Sequence, residues 1–134
     1  MCQPVRQDDP TIADKDRLFR RIHPDHHLVR DDDTGLARIS SGAFRDKELS
    51  VDIESVMRGI GKIHVDCLQN YVGYMLVSIT AGKARQCRQI VCRDPLPNNP
   101  SHGLVFGSKN NKRDLEELRK SAQWVIPTHP PPYD

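Results

Sequence analysis

The sequence is poor in continuous apolar character. No run in its 134 residues approaches the ~18 apolar residues that a membrane-spanning helix requires. The N-terminal stretch also has no apolar segment of the secretory kind, so a cytoplasmic protein is expected. Aromatic residues are scarce. Three Tyr, three Phe and one Trp leave little for base stacking, and none falls in a recognisable RNA-reading motif. Neither sign of charge is in excess: 20 Lys and Arg face 18 Asp and Glu, for a net charge of +2. Total charge therefore gives no argument for nucleic acid, and only a local patch does so. The four cysteines, Cys2, Cys67, Cys87 and Cys92, lack the spacing of a secreted disulfide framework.

The usual chemical fingerprints are missing as well. Ala81-Gly82-Lys83-Ala84 has no upstream glycine to make a phosphate-cradling Walker loop, and there is no dinucleotide fingerprint. No G-x-S-x-G marks a nucleophile elbow, and no segment repeats. No cofactor is expected from the sequence.

The remainder describes one small domain. The head (1–14) has no apolar run and reads as a flexible arm. Residues 15–126 read as a single α+β domain of short strands with two or three helices, and 127–134 as a proline-rich tail. Within the domain, Tyr74 to Ile79 is the most hydrophobic run and predicts a central strand. Arg88 to Arg93 and His102 to Phe106 predict two more, separated by a loop stiffened by Pro95, Pro97 and Pro100. Leu36 to Ile39 and Leu49 to Val51 are shorter extended pieces, and His23 to Gly35 is expected as loop. From Ile53 to Leu68 the apolar spacing becomes helical, with Asp52 placed as N-cap and a break expected near residue 60, between Gly59 and Gly61. Thr80 suits the start of a short helix. Leu115, Leu118, Ala122 and Val125 form a helical stripe with Asn111 and Asp114 in its first turn.

Several short motifs invite chemistry and fail on context. His23-Pro24-Asp25 is the tripeptide of J-domain co-chaperones, but the glycine- and aspartate-rich segment after it cannot form the second long helix that family needs. Asp33-Thr34-Gly35 matches the aspartic-protease triplet, yet Asp31 and Asp32 precede it where an apolar strand belongs, and a turn explains it. A zinc site drawing on Cys87 and Cys92 with His23 and His26 has only one well-spaced pair, and no metal is expected. Pro130-Pro131-Pro132-Tyr133 resembles the PPxY ligand of WW domains, which implies a protein partner held through the tail.

One set of residues is richer in chemistry than a core requires. Arg20, Arg21 and His23 sit at the end of the first element, Arg17 to Ile22, which reads as a strand or a short helix; Ser40 and Ser41 lie beside flexible Gly42, Asp52 at a helix start, and His102 after the proline loop. Arginine forks with serine hydroxyls bind phosphate. Two histidines with an orienting aspartate supply an acid and a base. The sequence therefore favours a phosphate-bearing ligand, a nucleotide or RNA, bound by Arg20, Arg21, Ser40 and Ser41. A hydrolase or group transferase using His23, His102 and Asp52 is the alternative, and a non-catalytic protein-interaction module the third.

Overall fold

The computed structural model describes residues 6–133. They form a small α+β domain with eight strands and three helices among them. In chain order the strands are β1 (Arg17–Ile22), β2 (Leu28–Arg30), β3 (Ala37–Ile39), β4 (Glu48–Ile53), β5 (Met75–Thr80), β6 (Ile90–Arg93), β7 (His102–Phe106) and β8 (Gln123–Ile126). The helices are α1 (Glu54–Gly59), α2 (Ala81–Gln86) and α3 (Lys112–Ser121). Six strands make one sheet in the order β6-β7-β4-β1-β5-β8, and β2 pairs with β3 separately. Every pairing is antiparallel.

Side chains alternate across a sheet with period two, and here the two faces differ in kind. Leu18 and Ile22 of β1, Leu49, Val51 and Ile53 of β4, Val77 and Ile79 of β5, and Val105 of β7 belong to one buried cluster. Ala81 and Ala84 of α2, Leu115 and Leu118 of α3, Phe44 and Ile12 also belong to that cluster. The opposite face carries a smaller cluster of Phe19, Met57, Cys67 and Leu76. The register sets what else lies there: Phe19 faces Asp52, Arg21 faces Leu76, and Asp52 faces His102. The second face is thus apolar at one end and polar at the other.

Local signals account for the helix starts. The Thr80 side chain accepts from the Lys83 backbone N–H, and that of Asn111 from Asp114, each satisfying an otherwise orphaned donor. Asp52 does not act as expected. It lies within β4, while α1 begins at Glu54 after Ile53 with no side-chain cap. The strand extends past Val51 because Asp52 and Ile53 hydrogen-bond onward into the sheet and the proline loop, beyond the reach of a local pattern. The break expected near residue 60 is present: α1 ends at Gly59, and the rest of the stripe forms a separate 3₁₀ turn at His64–Leu68 in place of further α-helix. Between them Gly61 has φ of +75°, a backbone that strongly favours glycine. The last helix stops at Ser121, so Val125 lies in β8, on the sheet edge beside β5. The loop expected from His23 to Gly35 contains β2.

Of the N-terminal arm, residues 1–5 lie outside the described residues. The rest is attached: Ile12 is buried, and Asp8 and Asp9 hold Arg85, Arg93 and the backbone of Val91. Charge pairing anchors it, so hydropathy gives no sign of it. Of the tail, Asp134 lies outside the described residues; Pro131 and Pro132 lie beside the start of β3, with the Ala37 N–H donating to the Pro131 carbonyl at 2.7 Å. No helix among the described residues is long and apolar enough to cross a membrane.

Candidate functional site

A cavity of about 550 Å³ opens on the polar end of the second sheet face. Its floor is sheet: Arg21 from β1, Ser50 and Asp52 from β4, and His102 from β7. Its walls come from two loops. The segment after α1 contributes Lys62, Asp66, Cys67 and Tyr71, and the proline loop contributes Leu96, Asn98, Asn99 and Ser101.

Asp52 is the hub. It is 2% exposed, and both carboxylate oxygens are occupied. Oδ2 accepts from Arg21 Nη2 at 2.9 Å, and Oδ1 accepts from Asn99 Nδ2 at 2.8 Å. Ser101 Oγ lies 3.3 Å from Oδ1 and 2.9 Å from the Asn99 side-chain oxygen. A buried carboxylate needs such partners to stay charged.

Arg21 is fixed on three sides. Besides Asp52, its Nε donates to the Cys67 carbonyl at 2.6 Å, and its Cζ lies 4.2 Å from the centre of the Tyr71 ring. A guanidinium carries five N–H groups in a rigid fork, of which these bonds use two. Three are not used by these bonds, and Arg21 lines a cavity whose lining also includes Lys62 and His102.

His102 is oriented by the start of the proline loop. Its Nδ1 lies 2.9 Å from the Asp94 carbonyl oxygen and 3.1 Å from Asp94 Oδ2. Both partners accept only, so Nδ1 carries the proton. Nε2 is then the nitrogen with a free lone pair in the neutral ring. Cys67 offers no nucleophile, because burial, reinforced by Asp52, pushes its thiol up to about 12.

The residues singled out in the sequence divide between two faces. Arg21, Asp52 and His102 meet in the cavity. Arg20, next to Arg21 on a strand, points to the other face. There its guanidinium donates to the carbonyls of Ala43 and Ser50 and pairs with Asp46 at 3.5 Å. Ser40 and Ser41 open a 3₁₀ turn packed against α3 on that same side, where Ser41 Oγ accepts from Arg45. His23 lies outside the cavity lining. Its ring stacks on His26 with centroids 4.2 Å apart and meets Tyr74 edge-on at 5.1 Å. Cys87 and Cys92 are buried, and among the described residues no three His, Cys, Asp or Glu side chains gather to hold a metal.

Lys62, Asp94, Asn99, Ser101 and Tyr71 were not anticipated. Only the prolines around residues 95–100 hinted at a shaped wall, and nothing local marked the segment after α1. No known protein family matches the chain, and neither a curated protein nor a solved structure does.

Proposed function

We propose that the cavity binds a phosphate-bearing ligand of nucleotide size. The observation that carries this reading is the state of Arg21: oriented by Asp52, the Cys67 carbonyl and Tyr71, with three N–H groups not used by those bonds, on a cavity lined also by Lys62 and His102. A guanidinium already held in place loses little further freedom when a phosphate oxygen arrives. The volume falls within the ~300–1,000 Å³ usual for small-molecule sites. The polar lining from Asn98, Asn99 and Ser101 supplies neutral hydrogen-bonding groups beyond the anion. Arg20, Ser40 and Ser41 have no part in this site, since they lie on the other side of the sheet.

Calorimetric titration with adenosine, adenosine monophosphate and inorganic phosphate tests the reading. The monophosphate is expected to bind at least about tenfold more tightly than adenosine, since a charge-assisted pair contributes ~1.5–3 kcal/mol. Added salt and Lys62→Ala should each reduce that margin. Equal affinity for adenosine and its monophosphate, or no saturable binding of either phosphate compound, would refute it.

A further inference from the structure

We propose that the site cleaves single-stranded RNA without a metal, with His102 as general base. The inference rests on the phosphate-binding reading and adds a reaction to it. Two independent features lead there. The first is the state of His102: Asp94 holds the proton on Nδ1 and leaves Nε2 a proton acceptor on the lining of an arginine- and lysine-bearing cavity. The second is a row of flat groups leading away from that cavity. Arg21 lies over Tyr71, Tyr71 meets Tyr74 at 5.3 Å, Tyr74 meets His23 at 5.1 Å, and His23 stacks on His26 at 4.2 Å. Tyr71 and His26 are exposed, so the row offers faces and edges to the bases of a strand whose phosphate lies on Arg21. A mononucleotide would leave that row unused.

RNA brings its own nucleophile, so the step needs no cofactor. Nε2 of His102 takes the proton of the 2′-hydroxyl, and the 2′ oxygen's electron pair forms a bond to phosphorus. The P–O5′ bond breaks with its pair going to the 5′ oxygen, which takes a proton from the Lys62 ammonium. The products are a 2′,3′-cyclic phosphate and a 5′-hydroxyl, and nothing is oxidised or reduced. Arg21 stabilises charge on the phosphoryl oxygens as it develops. Asp94 is a positioning residue, acting through the His102 ring.

The test is cleavage of an unstructured RNA oligonucleotide in the presence of EDTA, beside the same sequence as DNA and as 2′-O-methyl RNA. Cleavage of RNA alone is expected, leaving 2′,3′-cyclic phosphate ends. Its rate should rise and then fall with pH, because the base must be unprotonated and the acid protonated. His102→Ala should slow cleavage by ~10²-fold or more while affinity for the 2′-O-methyl strand stays within a fewfold. If His102→Ala does not fold, Asp94→Asn serves in its place, with a lower rate and a displaced pH profile. Tyr74→Ala should weaken the oligonucleotide and leave adenosine monophosphate unaffected. Monophosphate binding with intact RNA would overturn the cleavage inference and leave the binding reading standing. Failure to bind either would remove both. Equal cleavage by wild type and the His102 variant would assign the activity to a contaminant and overturn the inference.

Discussion

Asp52→Ala gives the sharpest test of how the cavity is held together. The side chain is 2% exposed and accepts from Arg21 and Asn99, with the Ser101 hydroxyl beside it. Its removal leaves an arginine whose side chain is only 18% exposed without its counter-charge, and strands two neutral donors. Breaking a buried pair from one side costs ~3–5 kcal/mol. Arg21 keeps some solvent and its bond to the Cys67 carbonyl, which argues for the low end, about 3 kcal/mol. Removing both charges is different. Arg21→Met with Asp52→Leu leaves no uncompensated ion and strands only the neutral partners Asn99, Ser101 and the Cys67 carbonyl, so the double variant should be destabilised by clearly less than the two single changes combined. Urea unfolding followed through Trp124, the single tryptophan, which packs against the main core, measures both. A loss below ~1 kcal/mol for Asp52→Ala, or a double variant as unstable as the two single changes combined, would refute the account.

Gly103→Ala should destabilise by ~1–3 kcal/mol, the usual cost of overpacking. A Cβ there would sit 2.6 Å from Ile53 Cδ1 and 3.0 Å from the Cys92 carbonyl oxygen, and thermal unfolding reads the loss. Lys109→Met should cost about 2 kcal/mol in urea, because Nζ reaches the carbonyls of Asp46, Val105 and Gly107 at 2.8–3.3 Å, and these would be left without that donor. Burial, then the Arg20 guanidinium, holds His27 below its ordinary 6.5. The unfolded chain therefore takes up that proton first. Stability from this group is complete above about pH 6.5 and is lost as pH falls towards the folded value. His27→Asn, which keeps an acceptor for the His23 N–H, should show a shallower decline between pH 7 and 5 than wild type in paired urea titrations.

The elements that the sequence reveals are those whose signal is local. The run before Ile79, the strand from His102 and the caps at Thr80 and Asn111 all appear as their residues suggest. Elements set by distant partners are less legible. β8 exists because β5 offers an edge to Trp124 and Ile126, and the helical spacing through Val125 continues past the true end of α3. Asp52 looks like a cap because polar residues before helices usually are. Its actual role depends on Arg21, Asn99 and Ser101 in three other segments. The site was half legible for the same reason. Arg21, Asp52 and His102 stand out by residue type. Lys62, Asp94 and Tyr71 look like ordinary surface residues until the loops around them are closed.

The fates of Arg20 and Arg21 show why proximity in sequence is a poor guide to a shared site on a strand. Period-two alternation sends adjacent side chains to opposite faces, so any patch drawn from both is divided before packing begins. On the helix-covered face, Arg20 meets backbone carbonyls of Ala43 and Ser50 with one exposed carboxylate, and burial draws its pKa down. These contacts tie the Ser41–Phe44 turn to the sheet. On the other face Arg21 is tied by as many hydrogen bonds, but it lines a cavity, which Arg20 does not. The attraction within the pair itself is largely offset by its desolvation, so the charges contribute mainly by holding Asn99, Ser101 and the Cys67 carbonyl in place. What the charged pair adds beyond that is an oriented cation on the cavity lining, and that property matters only if something negative enters the cavity.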